Sequence, residues 1–161
     1  MANPLLERLR PLGRERWREP GPGTEAQLAA VEARVGLSLP SDYRALLIES
    51  GGGWLYGFTT RLELFPLEDL DWKCVEEHLT CADVPGGITI GTDGSDSVFF
   101  YDARGVLGRG AWALFMVELG ILKGAEAKFV GRNLGELVDA ILSDESLWSR
   151  PTLAESAATS A

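Results

Sequence analysis

Histidine is almost absent from this 161-residue chain: His78 stands alone, with only two cysteines, Cys74 and Cys81, for company. Any Ser-His or Cys-His mechanism would have to use that one imidazole, and no Gly-x-Ser-x-Gly nucleophile elbow is present to meet it. The three residues fall at i, i+4 and i+7. Positions seven apart lie about 10 Å apart along a helix axis, so Cys74, His78 and Cys81 do not converge on one zinc ion from a single helix, and no fourth ligand is signalled. The plainer reading is reduced, partly buried thiols near a surface histidine. Two cysteines without an export signal are also too few for a disulfide framework.

Long apolar runs are missing too. Each is broken by glycine or charge well short of the roughly 20 residues that a membrane helix needs. Arg8, Arg10, Arg14, Arg16 and Arg18 precede no apolar signal-peptide segment, so the expectation is an unexported, cytoplasmic protein. Basic residues are in deficit, 15 against 24 acidic, for a net charge of −9. The first 20 residues hold five arginines and three glutamates, which leaves the rest of the chain at −11. Such a body repels the phosphates of DNA or RNA. It suits a basic protein partner, since complementary fields speed association, although an acidic surface also serves plain solubility.

Other arrangements with chemical potential have simpler readings. Asp93-Gly-Ser-Asp96 lacks the alternating ligands and terminal Glu of a calcium loop and is expected to be a turn. The glycines at 105, 108 and 110 have neither the spacing nor the following helix of a phosphate loop. Glu68 with Asp69, and Glu76 with Glu77, are sequence neighbours that read as solvated surface rather than as an acid and base pair. No catalytic, cofactor or metal site is therefore assigned, and the chain is expected not to be an enzyme.

What is present is a set of well-punctuated elements. With 45% hydrophobic residues, the chain can bury one sizeable core in a single domain. Leu5, Leu6 and Leu9 suggest a short docking helix ahead of the breaker Pro20-Gly21-Pro22-Gly23. Thr24 with Gln27 has capping-box spacing, Leu28, Val31 and Val35 follow as a stripe, and Gly36 closes that helix. The run Leu37 to Trp54, LSLPSDYRALLIESGGGW, opens a second helix at Pro40, buries Tyr43, Leu46 and Leu47, and leaves through three glycines. Residues 54–58 and 62–65 read as a hairpin, 67–81 as a loop plus a short helix, and 88–90, 98–101 and 112–117 as strands of a meander. The last of these has little polar alternation and is expected to be central. Asn133 with Glu136 caps a final amphipathic helix carrying Leu134, Leu137, Val138, Ile141 and Leu142. After Trp148 the small, polar TLAESAATSA is expected to be disordered. The layout expected is an N-terminal extension over 1–23, a domain over 24–148 and a tail over 149–161.

The ordered set resembles the SUKH superfamily, the Smi/Knr-type domains common among bacterial immunity proteins. The resemblance rests on Glu32 before Gly36, Leu39-Pro40-x-Asp42-Tyr43 followed by Gly51-Gly52-Gly53, Ile90-Gly91-Thr-Asp93-Gly94 before Phe99-Phe100-Tyr101-Asp102, and the C-terminal amphipathic helix. It spans about residues 24 to 142. Ser95-Asp96-Ser97 departs from the further glycines that often continue the second turn in the family. The resemblance implies an α+β fold, a mostly antiparallel sheet packed against N-terminal and C-terminal helices. It also implies a non-enzymatic protein-binding role: an immunity protein that neutralises a cognate toxin domain, such as a nuclease, or an intracellular scaffold or regulator. A small hydrolase or metal-dependent enzyme is the remaining alternative.

Acidic and aromatic residues interleave at Glu68, Asp69, Asp71, Trp72, Glu76 and Glu77, and a tryptophan flanked by acids is a plausible anchor for a basic surface. The alternative reading is that Trp72 is simply core. Asp93 and Asp96 would extend the patch if their turn lies beside it.

Overall fold

Capping decides where the first helices begin and end. Asn3 opens α1 (Pro4–Leu9), its side chain accepting from the N–H groups of Leu5 and Leu6. Thr24 and Gln27 form the reciprocal box at the head of α2 (Glu25–Val35), and Gly36 ends it with a left-handed φ of 73°. α3 (Ser41–Ser50) starts after Pro40 and stops at Gly51, which is again left-handed. The Glu32 carboxylate ties the two together. It accepts from the Leu39 N–H at 2.7 Å and faces Arg44 at 3.2 Å, fixing the extended link between α2 and α3.

The computed structural model describes residues 3–71, 83–143 and 145–159. Among them, β1 (Trp17–Arg18), β2 (Gly53–Tyr56), β3 (Arg61–Leu64), β4 (Gly87–Thr92), β5 (Ser97–Asp102), β6 (Ala113–Glu118) and β7 (Lys128–Gly131) form one sheet in chain order, every neighbouring pair antiparallel. α4 (Leu67–Asp71) follows β3, and α5 (Leu134–Leu142) and α6 (Leu153–Thr159) close the chain. The fold is the expected α+β arrangement in one domain, and no described helix is long and apolar enough to cross a membrane.

The two faces of the sheet are treated differently along its width. One face carries the main core, in which Trp17, Leu55, Leu62, Phe99, Tyr101, Leu114 and Met116 meet the buried sides of the helices, including Tyr43, Leu46 and Ile141. On the other face, Val98, Phe100, Ala113, Phe115 and Val117 of β5 and β6 are roofed by Val84, Leu107, Leu122 and Leu153. Strands buried on both faces need no polar alternation, which explains the continuous apolar runs at 98–101 and 113–117. β6 is interior but sixth of seven, not central. β1 to β3 keep the alternation of a sheet with one open face.

Two strands lack a sequence signal: β1 is two residues long, and β7 is short and half-polar. The expectation of a disordered tail is corrected. Thr152 and Glu155 satisfy each other's backbone N–H groups, and the Leu153 N–H donates to the Ala127 carbonyl, so α6 docks beside β7. The first 23 residues are equally integrated, with Leu5, Leu6, Leu9 and Trp17 inside the main core.

Candidate protein-binding surface

The acidic residues nominated from the sequence do not form one described patch. Glu68 and Asp69 are exposed on α4, which is held near the glycine exit of α3 by the Leu67 N–H donating to the Gly51 carbonyl. Asp71 ends the same helix. Trp72, Glu76 and Glu77, together with Cys74, His78 and Cys81, lie outside the described residues. Asp93 is buried, 8% exposed, and its Oδ1 accepts from the N–H groups of Ser95 and Ser97. It holds the β4–β5 turn, while Asp96 projects from it, exposed. That turn sits at the Arg61 end of β3, where Arg61 Nη2 donates to the Gly94 carbonyl, and α4 leaves from the Leu64 end. A strand of this length separates them by about 13 Å.

Two glycine-bearing turns are filled by the chain's own carboxylates. Asp102, wholly buried, accepts from the N–H groups of Val106 and Leu107 at 3.0 and 2.8 Å. The loop through Gly105, Gly108 and Gly110 therefore folds around an anion that the protein already supplies. Among the described residues, no cluster of three His, Cys, Asp or Glu side chains is placed to hold a metal ion.

A different surface stands out on the open face of β1 to β3. Arg18 lies opposite Trp54, Trp54 opposite Glu63, and Tyr56 opposite Arg61. The Tyr56 N–H donates to the Arg16 carbonyl, so Arg16 extends the same outward row two residues before Arg18. The three strands thus present Arg16, Arg18, Trp54, Tyr56, Arg61 and Glu63 on one side. No described element roofs them. Phe58, at the β2–β3 turn, is 75% exposed beside them.

The guanidinium groups lie on aromatic rings. Arg16 sits 5.1 Å from the Phe58 centroid, and Arg18 and Arg61 approach the Tyr56 ring at 5.8 and 5.7 Å. Each such contact contributes about 0.5–1 kcal/mol at an exposed site and orients a side chain that would otherwise be mobile. Arg61 also meets Glu63 at 3.4 Å, whereas Arg16 and Arg18 face no carboxylate among the described residues. Glu19, next along the chain, is already engaged. Arg10 grips it with Nε and Nη2 at 2.8 and 3.2 Å, and Trp17 Nε1 donates to it at 2.9 Å. The hydrogen bond from Arg10 holds the Glu19 carboxyl below its ordinary range. The clamp fixes β1 against the sheet and so sets the direction of Arg16 and Arg18.

Paired helices, a glycine exit into a meander and a closing amphipathic helix are now matched by an independent finding: a family model described as SMI1 / KNR4 family (SUKH-1) fits residues 22–140. The chain belongs to the SMI1/KNR4 family. No curated protein matches it. The matched span runs from just before α2 into α5, so β1 and α6 lie outside the portion that the SMI1/KNR4 model recognises. Membership is consistent with a protein-binding, immunity-type module.

The arginine and aromatic face was missed in the sequence because its members come from three separate segments. Its local trace is the alternation of Arg16-Trp17-Arg18, Trp54-Leu55-Tyr56 and Arg61-Leu62-Glu63-Leu64, in which every second residue points out.

Proposed function

We propose that this protein is a cytoplasmic immunity protein without catalytic activity of its own, which binds a cognate toxin domain and occludes its working surface. The observation that carries the reading is the unequal cover of the sheet: β5 and β6 are roofed on the outer face, while β1 to β3 present arginine, tryptophan, tyrosine and phenylalanine to solvent. Arginine, tryptophan and tyrosine dominate the energetic centres of protein interfaces. Family membership supports the immunity role, and a nuclease is the toxin class favoured by the sequence resemblance.

The test is co-expression with the product of an adjacent reading frame that encodes a toxin domain. Rescue of growth together with a stoichiometric complex on gel filtration is the expected result. Toxicity that persists, with no complex formed, overturns the proposal. Retrieval of several housekeeping partners and no toxin would instead support a scaffold or regulator built on the same fold.

A further inference from the structure

We infer that the open face of β1 to β3 receives an acidic segment of the partner, whose carboxylates engage Arg16, Arg18 and Arg61 while separate apolar side chains lie against Trp54 and Phe58. The inference relies on the immunity-type reading for the partner's identity, but its chemistry follows from the face alone. It reverses what the net charge of −9 suggests about the contact. Charges farther away than about 8–10 Å are largely screened at physiological salt, so the side chains within the footprint decide what docks there.

Within that footprint the balance is cationic. Arg16 and Arg18 face no carboxylate among the described residues, and Arg14, also exposed, borders the hollow next to Arg18 and Trp54. Of the nearby acids, Glu63 pairs with Arg61 and Glu19 with Arg10 and Trp17, while the exposed Glu15 lies between Arg14 and Arg16, so the five arginines Arg10, Arg14, Arg16, Arg18 and Arg61 outnumber the three glutamates. Stacking on Phe58 and Tyr56 holds Arg16, Arg18 and Arg61 before any partner arrives, which lowers the ordering entropy of binding. Planar guanidinium groups favour carboxylates, which they can meet with two parallel hydrogen bonds. A nucleic acid is the poorer occupant. Its phosphate chain would extend past this small cationic set over a body whose charge is −11 beyond the first 20 residues.

The experiment uses the full-length protein and three fluorescent probes of equal length: a peptide of Asp, Glu and Leu, its counterpart with Lys in place of the acids, and single-stranded oligouridine. Anisotropy should show saturable binding of the acidic peptide alone, weakened by salt, with the side-chain Nε–H signals of Arg16, Arg18 and Arg61 shifting on titration. R16Q, R18Q and R61Q should each weaken binding about fivefold, and the triple variant about a hundredfold. Circular dichroism checks that each variant is folded, and E126Q, exposed beside β7 at the other edge of the sheet, should bind as the parent does. Binding of the lysine peptide or of oligouridine in preference overturns the inference, as does no binding at all, or self-association through this face.

The toxin assay separates this inference from the function it builds on. Rescue by the parent protein and equally by the triple variant would leave immunity standing and remove the face. Peptide binding without rescue would keep the face and remove immunity.

Discussion

Gly53→Ala tests whether the arginine face depends on how β1 is seated. A Cβ placed on Gly53 would lie 2.1 Å from Cη2 of Trp17 and within 2.7 Å of two further ring carbons. Carbon atoms rest comfortably at about 3.5–4.0 Å, so the indole would have to move by more than 1 Å. It has little room: Trp17 is 4% exposed, pairs with Leu55 across the strands, and donates Nε1–H to Glu19. Overpacking of this kind destabilises by about 1–3 kcal/mol. Trp17→Ala alone should cost about 3–5 kcal/mol as a large buried ring is lost. In the double variant the new methyl enters the space the indole vacated, so the overpacking part of its penalty should disappear and only the backbone cost of a side chain at φ 159° remains. The two changes should therefore be non-additive by about 1–3 kcal/mol, measured by urea unfolding followed by circular dichroism with m-values compared. Hydrogen exchange on Gly53→Ala should show the amides of residues 14–19 losing protection before those of β5 and β6. Additivity within about 0.5 kcal/mol would refute the account, because it would mean that the glycine and the indole do not compete for the same volume.

Asp102→Ala should destabilise the protein by about 3 kcal/mol, since it strands the N–H groups of Val106 and Leu107, and Asp102→Asn by roughly half as much; equal losses in urea titrations would contradict the two-amide role. Tyr101→Phe should be neutral or up to about 1 kcal/mol stabilising at pH 7, because the hydroxyl is buried with no hydrogen-bond partner among the described residues. Burial, and then the charge of Asp42, push the Tyr101 phenol well above its ordinary value, so the folded form resists ionisation and stability should fall as pH rises past the ordinary tyrosine range of about 10. The Phe variant should lose part of that alkaline decline, and an unchanged alkaline profile would contradict the assignment. Glu19 has the opposite sign: its folded-state pKa is lowered, so its contribution is complete above the ordinary glutamate range and fades as pH falls through the folded value. The stability gap between the parent and Glu19→Gln should narrow on acidification below about pH 4.3, and a widening gap would be the contrary result.

Much of the scaffold was legible because its signals are local. Thr24 with Gln27 and Asn133 with Glu136 are caps whose partners are three residues away, and the structure uses both. The strands around 98–101 and 112–117 are apolar enough to be recognised without their neighbours. β1 was not legible, since Trp17 and Arg18 become a strand only by pairing with Leu55 and Trp54, far along the chain. α6 opens on Thr152 and Glu155, three residues apart, a spacing that the sequence reading of a small, polar tail did not use. What decides the matter is docking: the Leu153 amide finds the Ala127 carbonyl, a contact that composition does not reveal. The binding surface shows the same limit from both directions. Glu68 and Asp96 look alike in charge yet leave from opposite ends of β3, whereas Arg18 and Arg61, 43 positions apart, stand over one tyrosine ring.

The match to the family begins at residue 22, after β1 has already delivered Arg16 and Arg18 to the face. Two of the three outward arginines are thus carried by β1 and the residue before it, which the family profile does not read, clamped on by one tryptophan and one glutamate. Rewriting that strand would change the cations offered to a partner while leaving the helix caps, the glycine exit and the meander untouched. Contact chemistry and scaffold are thus written largely in different stretches of the chain.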